Sequence, residues 1–194
     1  SCGTAFDALP TRDAAGRRDS RQAALDAALR DGIPHARVEA WKYTPLRSLE
    51  RRVFKAADPS PAPFDAALLA DIPAPRIVFV NGRFDAAHTD THGLPDGVTL
   101  QALSQVLAAG EPREANFLAR KYERADEIFA RINAALADEG VVLRVQSDVR
   151  VTSPVHLVFI GTASEGDRAW HLRHLVELRD GAELTLVEHH LGHG

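Results

Sequence analysis

The side chains with most capacity for chemistry gather near the end of the chain. Of nine histidines, five are His171, His174, His189, His190 and His193, with Glu188 beside them. Imidazoles with a carboxylate suit Zn²⁺ or iron. Their spacing works against a common site. His189 and His190 are adjacent, and on a strand adjacent side chains point to opposite faces. At most one of them can join His193 or a neighbouring strand's His174. His174 falls in an apolar set with Trp170, Leu172, Val176 and Leu178, so a partly buried, hydrogen-bonded ring is expected. The expected arrangement is a solvated or stacked column of histidines, with a metal site as the alternative. No metal-ligating residue is assigned.

Other chemistries find less support. The chain has no G-x-x-x-x-G-K-[ST] loop, no G-x-G-x-x-G after a strand, no C-x-x-C and no H-E-x-x-H. Ser147, Ser153 and Ser164 lack the surroundings of a nucleophile elbow. Asp126-Glu127 and Asp138-Glu139 are read as helix-surface or helix-end carboxylates, because adjacency does not place two acids across a cleft. Cys2 is the only cysteine, so no intrachain disulfide forms, and an inert thiol near a frayed terminus is expected. Arginines between residues 12 and 52 are interleaved with Asp13, Asp19, Asp26, Asp31, Glu39 and Glu50. That pattern reads as a mixed solvated surface, not a phosphate-binding patch. No catalytic or cofactor-binding residue is assigned, and the chain is not expected to be an enzyme.

Composition is that of a soluble globular protein: 194 residues, 45% hydrophobic, 26% charged. A net charge of −4 gives no reason to expect nucleic acid. No apolar run approaches the ~18 residues that span a bilayer, and no signal peptide opens the chain. With a single cysteine, these features fit the cytoplasm. The absence of methionine points to processing or editing of the chain.

The elements that must hold these residues follow from periodicity. Residues 140–194 are short β-branched runs cut by turns. Val141, Leu143 and Val145 alternate with Val142 and Arg144; Ala182, Leu184 and Leu186 alternate with Glu183 and Thr185. The two halves resemble each other: residues 143–152 align with 176–185, apolar–charged–apolar runs around a polar turn. Such repeats predict stacked coils, as in a parallel β-helix, with an antiparallel meander as the alternative. The chain stops directly after a strand, leaving an edge that natural proteins avoid. A piece of a longer protein is expected, which self-associates through its C-terminal strands where Leu184 and Leu186 lie open.

Upstream, Ser20 reads as the cap of a helix over 21–30, with a stripe of Ala24, Leu25, Ala28 and Leu29 ended by Gly32. Residues 1–18 read as loosely ordered. Trp41, Lys42 and Tyr43 form either an aromatic packing anchor or a partner contact; Thr44-Pro45 opens a short helix with Leu46 and Leu49 inward. Five of eleven prolines lie in 56–75, a semi-rigid linker with a brief helical stretch at 64–69. Residues 76–84 predict a hairpin turning at Asn81-Gly82. A short strand at 98–100, a helix over 101–109 and a helical pattern over 113–138 follow. That pattern includes Phe117, Leu118, Ala125, Ile128, Phe129, Ile132 and Leu136, with a break near Arg124 or Asp126.

Four segments in order carry a family resemblance: Gly32-Ile-Pro with Glu39-Ala-Trp-Lys-Tyr-Thr-Pro-Leu; Val78-Phe-Val-Asn-Gly-Arg-Phe; Asn133-Ala-Ala-Leu-Ala-Asp-Glu-Gly-Val-Val-Leu-Arg-Val with Ser153-Pro-Val-His-Leu; and Leu175-Val-Glu-Leu-Arg-Asp-Gly-Ala-Glu-Leu-Thr-Leu-Val-Glu-His. Together they resemble the N-terminal part of the SufB/SufD family of iron–sulfur cluster assembly proteins, on its SufD side. The resemblance implies an α+β chain: an N-terminal helical region with a small hairpin, then the first coils of a right-handed parallel β-helix. The division is residues 1–75, a helical arm and proline-rich linker; 76–139, a small α/β region; and 140–194, the start of the β-helix. It implies a non-catalytic scaffold in the cytoplasmic SufBCD complex, with SufB and SufC as partners and a part in iron acquisition. The iron–sulfur cluster is handled by the full complex, and no cofactor belongs to this stretch. Two other classes compete: a parallel β-helix polysaccharide-processing enzyme, in which Arg150, Glu177 and Glu183 would have to converge, and a cupin-like metal-binding protein.

Overall fold

A computed structural model describes residues 2–9, 16–110, 113–124 and 126–192, except the side chain of Glu50. His193, Asp13 and Ala125 lie outside the described residues. The chain is a mixed α+β protein that divides into two compact units.

One unit comprises residues 57–106, 139–165 and 172–194 and holds most of the sheet structure. In β2 (Arg76–Val80) every residue after Arg76 is buried. An unbroken apolar run is what a strand covered on both faces requires. Asn81 and Gly82 both have positive φ, 49° and 74°, as a two-residue I′ turn demands, and the chain returns antiparallel as β3 (Arg83–Phe84). On its other edge β2 pairs parallel with β6 (Val155–Gly161), and β6 pairs parallel with β9 (Leu186–Gly192). A second sheet sets β4 (Val98–Ala102) antiparallel to β5 (Val141–Val145), and β5 parallel to β8 (Leu175–Leu178).

Alternation in β6 decides which side chains meet. Val155, Leu157 and Phe159 join Ile77, Phe79, Val141, Leu143 and Val145 in one core. Val158 and Ile160 point the other way and pack with Val78, Val80, Leu69 and Ile72. Leu69 comes from a 3₁₀ turn, Ala66–Leu69, where the Asp65 carboxylate accepts the Ala67 N–H at 2.9 Å. The helical stretch expected there is this single turn.

The internal repeat has become strand register. Leu143 pairs with Val176 and Arg144 with Glu177. Through the turns the Asp148 N–H donates to Asp180 O, Val151 N–H to Glu183 O and Glu183 N–H to Val149 O, all at 2.9–3.0 Å. Asp148 and Gly181 hold corresponding left-handed positions, φ 61° and 70°. Ala182 and Leu184 lie before β9 rather than within it, yet both pack against the first core.

The other unit comprises residues 1–56, 107–138 and 166–171 and is mainly helical. Within the stretch read as loosely ordered, Cys2–Asp7 form α1, with Phe6 buried among Leu25, Ala135 and Leu136; residues 1 and 10–15 lie outside the described residues. Helix α2 (Arg18–Asp31) starts earlier than expected, directly after Arg17 and with no side-chain cap; Ser20 lies inside it and donates its hydroxyl to Arg17 O at 2.9 Å. Gly32 ends α2 as expected, with φ 66° and its N–H on Ala28 O. Leu29 is exposed, so the inward stripe narrows to Leu25 and Ala28 with part of Ala24. After a 3₁₀ turn at Glu39–Trp41, α3 (Arg47–Glu50) begins after Leu46, which is buried, and has no side-chain cap. Short strands β1 (Lys55–Ala56) and β7 (Arg168–Ala169) pair parallel.

Gln101 continues β4, and α4 is Leu103–Ala109. The long helical pattern over 113–138 splits into a 3₁₀ turn at Asn116–Ala119 and α5 (Ile128–Leu136). The cause is Arg131, which points back from α5. Its Nε donates to Tyr122 O at 2.9 Å and its Nη2 to Glu123 O at 2.7 Å. Those carbonyls accept from a side chain where a continuous helix would use backbone N–H groups.

Candidate functional site

The histidines do not assemble into one site. In β9, Val187, His189 and Leu191 pair across from His156, Val158 and Ile160, while Glu188 and His190 pair across from Leu157 and Phe159. His189 and His190 therefore face opposite ways, as their adjacency requires. His189 meets His156, a residue the sequence did not single out. Their rings lie 5.1 Å apart, and His156 Nδ1 is 2.9 Å from His189 Nε2. At that distance one nitrogen donates and the other accepts. The pair is engaged with itself, and only an uninterrupted strand alignment could have forecast it. Burial, then the neighbouring His189, pushes the His156 imidazole below its usual range.

On the opposite face, Phe159 is the platform. His190 stacks on it at 5.0 Å and His174 tilts against it at 5.4 Å. His174 Nδ1 accepts the Val141 N–H at 3.0 Å, the hydrogen-bonded role expected for it. Burial lowers its pKa; Glu188 opposes that and His190 adds to it. The His190 Nε2 is 3.3 Å from Glu188 Oε2. No group of three or more His, Cys, Asp or Glu is placed to hold a metal ion among the described residues. Phe159 with His174 and His190 is the stacked arrangement; His171 stands apart, in the helical unit.

The carboxylates are structural. Glu127 stands at the N-terminal boundary of α5 without a side-chain bond to the helix; its Oε2 instead accepts the Arg124 N–H at 3.2 Å. Asp126 pairs with Arg124, whose hydrogen bonds hold its carboxyl below the usual range. Asp138 and Glu139 were expected at a helix surface or end, and both are buried. Glu139 Oε1 accepts the Ser104 hydroxyl at 2.9 Å and its N–H at 3.4 Å, supplying the first turn of α4 with an acceptor from outside the helix, beside Gln105 Oε1, which accepts the Ala102 N–H at 3.0 Å. Arg17 and Arg21, expected on a solvated surface, are also buried; Arg17 donates to Asn116 Oδ1 at 2.7 Å.

Arg150 pairs with Glu183 at 2.6 Å, and Arg144 with Glu177 at 3.3 Å, the latter pair shared with Arg179. These are ion pairs between neighbouring strands. Each charge is neutralised laterally, so none is gathered around a cleft.

The aromatic segment resolves residue by residue. Trp41 is half-buried, packs on Phe129 at 5.3 Å and donates its indole N–H to Asp126 O at 2.9 Å. It is a packing anchor. Tyr43 is 85% exposed and touches the Lys42 ammonium over its ring.

The family described as "SufBD protein N-terminal region" matches residues 7–157, well over half of the chain. SufD, an iron–sulfur cluster assembly protein of Escherichia coli, is 32% identical over 188 residues, covering 91% of this chain and 40% of that protein. An iron–sulfur cluster assembly SufBD family protein of Synechocystis is 29% identical over 173 residues, covering 88% of this chain and 38% of the relative. The chain thus spans about two fifths of the length of these curated relatives. The match takes in the Trp41 anchor, the Asn81-Gly82 hairpin and the first of the two aligned passes, and the chain belongs to the SufBD family.

Proposed function

We propose that this chain is the N-terminal part of a SufD-like, non-catalytic scaffold for iron–sulfur cluster assembly. Its parallel strand passes are the first coils of a right-handed parallel β-helix. In the whole protein it joins SufB-like and SufC-like partners in the cytoplasm and assists iron acquisition, while the cluster is handled by the complex. The observation that carries this reading is the in-register parallel pairing of β5 with β8 and of β6 with β9, with Leu172, Ala182, Leu184 and Leu186 packed against the core of the first pass. It is joined by family membership. No helix among them is long and apolar enough to cross a membrane.

The glycan-processing and cupin-like readings are not favoured. Arg144 and Arg150 are taken up in ion pairs, and the histidines divide between two faces. Co-purification of the whole protein with its SufB-like and SufC-like partners tests the proposal. A stable complex that raises cluster formation on an acceptor protein is expected. A protein that forms no such complex, or that cleaves glycans alone, overturns it.

A further inference from the structure

A cavity in the helical unit has no part in the scaffold reading. Its volume is about 520 Å³, within the 300–1,000 Å³ typical of small-molecule sites. The walls are apolar, with Ile33, Leu49, Phe54 and Ile132 among them. Three polar side chains also line it: Arg52, His171 and the thiol of Cys2. An apolar body edged by a few polar residues is the build of a ligand pocket.

Arg52 is the one cationic side chain among the residues that line this cavity. Arg52 Nε is 3.3 Å from Asp167, in a half-exposed pair. A guanidinium has five N–H donors, so one carboxylate does not exhaust it. His171 is pushed toward its neutral form, first by burial, with Asp138 opposing, and a neutral ring supplies one N–H.

We propose that this cavity binds an amphipathic carboxylate, its acyl chain among Ile33, Leu49, Phe54 and Ile132 and its head group on Arg52. The planar fork of arginine matches a carboxylate bidentately. Asp167 then acts as an internal competitor for the same guanidinium. This site goes beyond the scaffold role and does not depend on it.

Dodecanoate is the probe. Bound in the cavity, it shields Cys2, so alkylation of the Cys2 peptide by iodoacetamide, followed by mass spectrometry, reports occupancy directly. Titration calorimetry gives the affinity. Dodecanoate is expected to slow Cys2 alkylation, and the uncharged dodecanol to bind about tenfold more weakly. Arg52→Gln is expected to weaken dodecanoate about tenfold, while Asp167→Asn leaves it unchanged or tightens it. Both variants break the same ion pair, so a loss of local structure would move them together. No protection of Cys2, equal binding of dodecanol, or a parallel loss in both variants overturns the proposal.

Discussion

Gly140 lies directly against the backbone of Arg173. A β-carbon on Gly140 would stand 2.7 Å from the Arg173 carbonyl carbon and closer still to its oxygen. Carbon atoms in good contact are about 3.5–4.0 Å apart. Gly140 also has φ 149°, a region that L side chains rarely adopt. This is where Glu139 bridges to Leu172 and the second strand pass comes down on the first.

Gly140→Ala is therefore expected to destabilise the chain by about 3 kcal/mol or more, from backbone strain and overpacking together. Gly110, with φ 73° and open space around it, is the control. Gly110→Ala carries only the left-handed strain, about 1–2 kcal/mol. Urea midpoints of the two variants check this; equal shifts would show that the close approach to Arg173 is relieved cheaply.

The Trp41 anchor separates into two contributions. Trp41→Phe removes the indole N–H bond to Asp126 O while keeping a ring against Phe129, and is expected to cost about 1 kcal/mol. Trp41→Ala also loses the ring contact; full truncation of a core Trp costs about 3–5 kcal/mol, and a half-buried ring falls below that range. A midpoint unchanged in both variants would mean that Trp41 is no anchor.

The hairpin and the two matching strand passes were legible because strand patterning is local; the pairing of β2 with β6 and of β4 with β5 was not. Asn81-Gly82 forces a I′ turn, and the alignment of residues 143–152 with 176–185 is the physical register of β5 on β8. Opposed faces for His189 and His190 followed from period two alone. What escaped was side-chain reach across sequence. Arg131 breaks a helical pattern by taking two distant carbonyls, Glu139 serves a helix that begins 36 positions earlier, and His156 meets its partner only through strand alignment. An arginine on the inward face of α5, between Ile128 and Ala135, was the signal available for the first of these.

Arg131 is almost fully buried and bonds Tyr122 O, Glu123 O and the Asp31 carboxylate. Arg131→Lys keeps the charge but not the fork, so the three acceptors cannot all be served. A loss of about 1–2 kcal/mol is expected. Asp31 is held below its usual range chiefly by its bond to Arg131, so its contribution is present above the unfolded value near 3.8 and lost as pH falls below it. Acid unfolding of Arg131→Lys should be shallower than that of the parent below pH 4; an identical profile would remove Arg131 from this role.

Three histidines make the fold sensitive to milder acid. Burial lowers the pKa of His156, His171 and His174 from 6.5. Between the lowered native value and 6.5 the unfolded chain binds more protons than the native one, so stability rises with pH across that window. Their neutral forms are accommodated fully above about 6.5, and stability is lost as pH falls below it. Protonation of His174 Nδ1 also removes the acceptor of the Val141 N–H. Urea midpoints should be lower at pH 5.5 than at pH 7.5, and His156→Leu with His189→Leu should reduce the difference. A difference that persists undiminished would place the proton uptake elsewhere.

The edges of β8 and β9 give the last prediction. Each is the end strand of its sheet among the described residues. Val176 and Leu178, which continue the inward face of Leu143 and Val145, are 41% and 44% exposed. Leu184 and Leu186 are half-buried beside them. Burying one such side chain fully is worth about 1.5–3 kcal/mol, and an open strand edge offers backbone donors and acceptors in a row. We propose that the 194-residue chain covers this face with a second copy, the same surface serving both partners. Val176→Lys with Leu178→Lys places charge on the exposed face and leaves the deeper Leu184 and Leu186 in position. Light scattering is expected to show a dimer for the parent and a monomer for the variant, with unchanged circular dichroism. A parent that stays monomeric at high concentration, or a dimer that survives both lysines, excludes this contact.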